Sequence, residues 1–211
     1  MFRIYRKLEP NEKIVVGVDT ASGLNDYVAV HFLSKTNIDV PWVYHSKQTI
    51  TEATNKIADA LNKIYDITGK KPIVAYERNN GGAFEMDRLA SMNRLNKYEV
   101  FRMPEFGKQE AGTTVRLGWD TNSATRPIML QELKDAIDKG VLRIYDKATV
   151  NEMFSFVVVQ STNTWKAQAE RNAHDDLVMS LSIAWQLYQR VQPDLNDIKV
   201  IKNDFNNWSL A

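Results

Sequence analysis

A short apolar run that ends in an acid constrains this chain more than any other feature. Residues 13–19, Lys-Ile-Val-Val-Gly-Val-Asp, read as a buried strand, and the two-residue period of a strand puts Val15, Gly17 and Asp19 on one face. The pattern recurs. Residues 72–76 form a short apolar strand closed by Glu77, and Asp175 and Asp176 open an almost continuously apolar helix that runs to Tyr188. Burying a carboxylate without a partner is costly, so each of these acids needs a cation, a capping role or water.

Between these runs, strand and helix patterns alternate. Residues 27–33 and 40–48 read as two further strands, and the short connections predict an antiparallel three-strand start. A helix opens at Thr51, with Glu52 in its first turn, apolar Ile57, Ala60, Leu61 and Ile64 along one stripe, and an end at Thr68-Gly69-Lys70. Asn79-Asn80-Gly81-Gly82 is a tight turn before a second helix over about 83–95, and 98–103 reads as a strand. Residues 104–120 carry three glycines and a proline and read as an irregular segment or flap. Pro127 marks the start of a helix over 128–138, stopped by Gly140; 141–145 is extended, 149–154 a short helix, and 156–160 with 164–168 a hairpin. This order predicts an α/β fold, a mixed central sheet with helices on both faces. A helix between two strands adds a parallel pair. With 211 residues and no repeat or linker, one domain is expected, its core at about 10–190 and a polar tail at about 193–211.

Composition narrows the chemistry. Lys+Arg number 27 and Asp+Glu 26, a formal net charge of +1. That argues against a generic cationic coat for nucleic acid and leaves room for a local basic groove. The absence of cysteine excludes disulfides, Cys-zinc sites and thiol catalysis, and three histidines (His31, His45, His174) exclude a histidine-rich metal site. Any metal must be held mainly by carboxylates, which favours Mg²⁺ or Mn²⁺. No run approaches the roughly 18–20 apolar residues that span a bilayer, and the N-terminus has no signal-peptide core, so a soluble intracellular protein is expected.

Taken singly, each acid has an ordinary role. Asp19 suits a turn, Glu77 an ion pair with Arg78 or Arg88, and Asp175 or Asp176 a helix cap. Taken together, carboxylates at two strand ends and one helix start fit a two-metal site. There, two divalent ions about 3.5–4 Å apart activate water and stabilise the leaving oxygen of a phosphodiester.

The strand-acid IVVGVDTASG, the strand-acid IVAYERNNGG and the helix HDDLVMSLSIAWQ, in that order, resemble the nuclease domain of phage large terminase subunits. The stretch Gly118-Trp119-Asp120-Thr121, with Thr125-Arg126-Pro127 before a helix, is similar to it as well. The resemblance covers roughly residues 10–190. It implies a ribonuclease H-like fold close to RuvC-type resolvases and metal-dependent endonuclease cleavage of concatemeric double-stranded DNA during genome packaging. It also implies two Mg²⁺ or Mn²⁺ ions. Asp19 and Glu77 match the first two catalytic acids, and the third falls on the Asp175-Asp176 pair, with Asp176 expected as the direct ligand and Asp175 through water. The resolvase-type helix often carries a further acid one turn later, where this chain has Met179. Implied partners are double-stranded DNA, an ATPase motor domain, a portal and a small terminase subunit, with no membrane. The implied setting is the host-cell cytoplasm at the procapsid portal. The phosphate-binding loop of the motor is absent, so an excised nuclease domain is expected over a stand-alone nuclease.

Arg78, Lys108, Arg116, Arg126, Lys166 and Arg171 lie near the acids in sequence or in the flap, and are expected either to neutralise DNA phosphates or to be ordinary surface charges. Trp119 and Trp165 either stack on DNA or anchor the core. His174 is a ligand, a proton shuttle or a helix-start residue, and Asn79 and Asn80 shape the turn that aims Glu77 or, second, contact DNA. Two other readings share the acids or the fold. One is a Holliday-junction resolvase or other ribonuclease H-like nuclease; the other is an inactive DNA-binding or assembly module. Asp19-Thr20 lacks the glycine that an aspartic-protease motif requires, and 211 residues cannot hold the duplicated domain of a sugar kinase.

Overall fold

A computed structural model describes residues 1–20, 27–79, 81–103, 116–161, 164–169 and 174–191, with the backbone alone over 156–161 and 164–169. In chain order the elements are β1 (Phe2–Ile4), β2 (Ile14–Asp19), β3 (Val28–Ser34), β4 (Asp39–Ser46), α1 (Ile50–Thr68), β5 (Ile73–Tyr76), α2 (Gly82–Met92), β6 (Glu99–Val100), β7 (Arg102–Met103), β8 (Arg116–Leu117), α3 (Thr125–Asp138), β9 (Arg143–Ile144), α4 (Lys147–Phe154), β10 (Phe156–Ser161), β11 (Thr164–Ala169) and α5 (Asp176–Arg190). The turn at 21–23, most of the flap, Asn80, Lys108, Arg171 and the tail lie outside the described residues, as do the side chains of Trp165 and Lys166.

The main sheet has the order β1-β4-β3-β2-β5-β6, with β9 paired to β4. The three-strand antiparallel start is as the sequence predicts, and so is a parallel pair across a helix, β5 with β6; β2 finds its own parallel neighbour in β5. Every residue of β2 and β3 is buried, which explains why neither strand alternates with polar residues. In β2, Gly17 stands beside Ala75 of β5 and Val18 beside Tyr76, so Asp19 and Glu77 are the next residues on neighbouring parallel strands. Both point toward the face covered by α5, which packs on β2, β3 and β5. Tyr76 points the other way and hydrogen-bonds Thr54 of α1 through its hydroxyl (3.2 Å).

Several boundaries differ from the sequence reading, each for a local reason. α1 is capped by Thr49, two residues before the expected start: its hydroxyl accepts the Glu52 N–H and Glu52 answers the Thr49 N–H, a reciprocal capping box. α2 ends at Met92 because Asn93 turns the chain out, accepting the Lys97 N–H and donating to the Tyr98 carbonyl. The strand expected over 98–103 is split. Glu99 and Val100 continue the main sheet beside β5, but Trp119 takes the next place on that edge, donating to Tyr76 O and accepting from Arg78 N–H. Arg102 and Met103 therefore leave and pair with β8 instead. α3 begins at Thr125, because the Asn122 side chain accepts the N–H groups of Ala124 and Thr125; Pro127 sits inside the first turn. β1, at the edge beside β4, has no counterpart in the sequence reading.

Candidate active site

The site stands where the carboxyl ends of β2 and β5 meet the start of α5. Its scaffold rests on two glycines. A Cβ on Gly17 would lie 2.2 Å from the Ser180 carbonyl oxygen and 2.4 Å from the Ala184 nitrogen, so only glycine lets α5 press onto β2. Ser180 and Ala184 are small and one turn apart, which gives α5 the matching flat stripe. Asp176 lies one further turn toward the helix start, as Asp19 lies two residues further along the strand; the helix and strand thus carry their acids to the same end. Gly82 does the same for α2. A Cβ there would fall 1.7 Å from the Glu77 carbonyl oxygen.

Asp19 and Glu77 are both buried. The other buried acids are matched to arginine: Glu12 and Asp39 to Arg6, Asp146 to Arg3, and Glu85 to Arg88. Among the described residues neither Asp19 nor Glu77 has such a partner. Burial raises Asp19 well above the usual carboxylate range, and its hydrogen bond to Glu77 and the charges of Glu77, Asp176 and Asp175 raise it further. The carboxyl that most needs a cation therefore faces the other three acids singled out in the sequence. Asn79 orients Glu77: its side-chain N–H₂ donates to Glu77 Oε1 (3.2 Å) and to the Thr121 carbonyl (3.1 Å), while its own carbonyl accepts from Thr20.

The two acids of α5 are held differently. Asp175 occupies the N-cap position but makes no side-chain cap bond, and pairs instead with Arg126 of α3. Asp176 faces His174, whose Nδ1 lies 3.6 Å from Asp176 Oδ2; the His174 ring is half exposed and packs edge-on against Tyr27.

The remaining expected residues are placed as follows. Arg78 does not reach Glu77. It binds Asp120 at 2.7 Å and the Leu117 carbonyl at 2.7 Å, tying the end of the flap to the site. Arg88 binds Glu85 of its own helix. Arg116 extends toward Asp120 and is largely exposed. Trp119 is buried, stacked on Phe101 and beneath the Arg190 guanidinium, so it anchors the core.

Glu152 of α4 was not singled out by the sequence. Its Oε1 accepts the Val178 N–H at 2.8 Å. Burial and the negative charges of Asp176 and Asp175 raise it to about 7 despite backbone hydrogen bonds from Val178 and Leu177. Only its position on a helix adjoining α5 could have revealed it.

Five carboxyl groups thus share one electrostatic neighbourhood. Among the described residues no three acids or imidazoles already form a ligand cage. The all-oxygen donor set of Asp19, Glu77 and Asp176 nevertheless suits a hard divalent cation.

No protein-family model matches the chain. Solved structures do. The large terminase nuclease of thermophilic phage G20c, with bound cobalt, aligns with a TM-score of 0.66 and 17% identity over 90% of this chain and 87% of that one. The large terminase nuclease domain of Thermus phage P74-26 gives 0.64 and 15% over the same shares. The manganese-soaked human cytomegalovirus terminase nuclease domain gives 0.54 and 11% over 92% of this chain and 94% of that one. At these identities what is shared is architecture: the chain has the ribonuclease H-like fold of large terminase nuclease domains.

Proposed function

We propose that this protein is a divalent-metal-dependent endonuclease that cuts concatemeric double-stranded DNA during phage genome packaging. The observation that carries the reading is the buried Asp19–Glu77 pair, without an arginine partner among the described residues, facing Asp175 and Asp176 at the sheet end. The structures with cobalt or manganese named above are terminase nucleases, which supports the choice of class.

Asp19, Glu77 and Asp176 would hold two Mg²⁺ or Mn²⁺ ions, and Asp175 would take part through water. When bound, such ions supply a nucleophilic hydroxide at neutral pH and neutralise the leaving oxygen. The chain's own residues prepare this. Asn79 fixes the Glu77 carboxylate, Gly17 and Gly82 set the spacing of the three elements, and Asp19, whose charged form burial disfavours, would be held ionised by the cation. Arg126 and Arg116 stand at the rim, where they meet DNA phosphates. Double-stranded DNA, an ATPase motor domain, a portal and a small terminase subunit are the proposed partners, in the host-cell cytoplasm at the procapsid portal. No helix among the described residues is long and apolar enough to cross a membrane.

Nicking of supercoiled plasmid tests the reading. Activity is expected with Mn²⁺ and Mg²⁺ and none with EDTA. Mn²⁺ should serve at least as well, because Mg²⁺ demands near-ideal octahedral geometry. Asp19→Asn, Glu77→Gln and Asp176→Asn should each lower the rate by about 100-fold or more, the loss of a few kcal/mol of charge stabilisation. Pure protein that never nicks with any divalent ion, or variants that cut like wild type, would refute it.

A further inference from the structure

The first turn of α5 poses a problem that its own residues do not solve. The leading N–H groups of a helix need acceptors from outside the helix, and an aspartate at the N-cap normally supplies one. Asp175 holds that position and makes no such bond, its carboxylate being drawn to Arg126. The acceptor comes from another helix. Glu152 Oε1 receives the Val178 N–H at 2.8 Å, and Leu177 adds a second backbone contact.

α4 is built to hold Glu152 there. Asp146 caps α4 by accepting the Thr149 N–H (2.9 Å) and hydroxyl (2.7 Å), and is itself fixed by Arg3 and Tyr5. Thr149 lies one turn before Glu152, on the same helix face. Its oxygen lies 2.9 Å from His31 Nε2, and His31 Nδ1 lies 2.8 Å from the Ser180 hydroxyl. Since the Thr149 proton goes to Asp146, His31 donates from Nε2, and its Nδ1 stands beside the Ser180 hydroxyl, which also lies 3.1 Å from the Leu177 carbonyl oxygen. α4 therefore grips α5 twice, at Val178 through Glu152 and at Ser180 through Thr149 and His31. These two grips bracket the turn that follows Asp176.

We propose that Glu152 is a positioning residue: by capping α5 from α4, it sets the first turn of that helix and with it the placement of Asp176 toward a divalent cation. The inference rests on the nuclease reading above. It makes the shape of Glu152, rather than its charge, the important property. A glutamine keeps the length and the acceptor oxygen; an aspartate keeps the charge but falls one methylene short of Val178.

The test measures Mn²⁺ affinity by electron paramagnetic resonance, and plasmid nicking as separate kcat and KM, for the full chain and the variants Glu152→Gln and Glu152→Asp. Glu152→Gln should stay near wild type in both. Glu152→Asp should bind Mn²⁺ about 10–100-fold more weakly, the usual cost of removing a group that orients a metal ligand, and lose kcat with little change in KM. A folded Glu152→Asp that binds Mn²⁺ like wild type overturns the proposal, as does a Glu152→Gln that loses affinity. If Glu152→Asp does not fold, Glu152→Ala decides by the same measurement: it removes the acceptor and should lose affinity where Glu152→Gln keeps it, and a Glu152→Ala that binds like wild type overturns the proposal. Asp19→Asn is the inactive control. If wild type neither binds Mn²⁺ nor nicks, the nuclease reading fails and this one with it; if wild type does both and the Glu152 variants are indifferent, only the positioning role fails.

Discussion

Gly17 and Ser180 meet so closely that a single methyl group on Gly17 would stand 2.2 Å from the Ser180 carbonyl oxygen. The opposing atoms are backbone on both counts, Ser180 O and Ala184 N, so no side chain can swing away to make room. Gly17→Ala must therefore lift α5 off β2. The expected cost is about 3 kcal/mol, the upper end for overpacking a core, or about 6–12 °C in Tm for a domain of this size. Thermal denaturation followed by circular dichroism checks it. An unchanged Tm would mean that the helix does not lie where this contact places it.

Arg126 and Asp175 form an ion pair in which each side chain is about one-third exposed, at 35% and 33%. Such pairs contribute about 0–1 kcal/mol to stability. Arg126→Ala should accordingly leave Tm almost unchanged, while DNA affinity falls and the slope of log Kobs against log salt shrinks by about one. Fluorescence anisotropy with a short duplex, run across a salt series in the presence of Ca²⁺, measures both. An unaltered salt slope would confine Arg126 to the protein.

The strand acids were legible because a strand has a period of two and a buried strand has few places for charge. Asp19 and Glu77 could each be put at a strand end before any coordinates, though not on neighbouring strands, and the Asp175-Asp176 pair stood out against the apolar helix behind it. What the sequence left obscure depends on contacts between distant segments. Glu152 looks like any helical glutamate until α4 is set beside α5. Trp119 gave no sign that it would displace the end of a strand and take its place beside Tyr76. Arg78 and Glu77 are adjacent in sequence, yet the alternation of side chains along an extended backbone sends them to different partners.

His31 is fully buried and its pKa is lowered by desolvation to about 3. In the unfolded chain it titrates near its ordinary value of about 6.5. Between these values the unfolded state holds one more proton than the native one, so this group's contribution is complete above about pH 6.5 and is lost progressively as the pH falls toward 3. Glu152, raised to about 7, acts in the opposite sense between about pH 4.5 and 7 and masks part of the loss. Asp19, also raised, acts with Glu152, and His45, lowered by burial to about 4, acts with His31; below about pH 4 the His31 effect remains, with a slope of about 1.4 kcal/mol per pH unit. Asp146, lowered to about 2 by its partners Arg3, Tyr5 and Thr149, adds to it below about pH 4. Urea unfolding at a series of pH values should show this steepening, and His31→Gln should flatten it. A slope that persists in His31→Gln would assign the acid sensitivity to other groups.

Asp19 faces the reverse situation, since burial and three neighbouring acids hold its proton on. A divalent cation entering among these carboxylates favours the charged form of Asp19 and so displaces protons. Binding should therefore release protons and strengthen as the pH rises. Isothermal titration calorimetry with Mn²⁺ in two buffers of different ionisation enthalpy reads the release directly. Asp19→Asn should abolish most of it along with most of the affinity. Heats that do not depend on the buffer would mean that no proton leaves, and Asp19 would then lie outside the cation's reach.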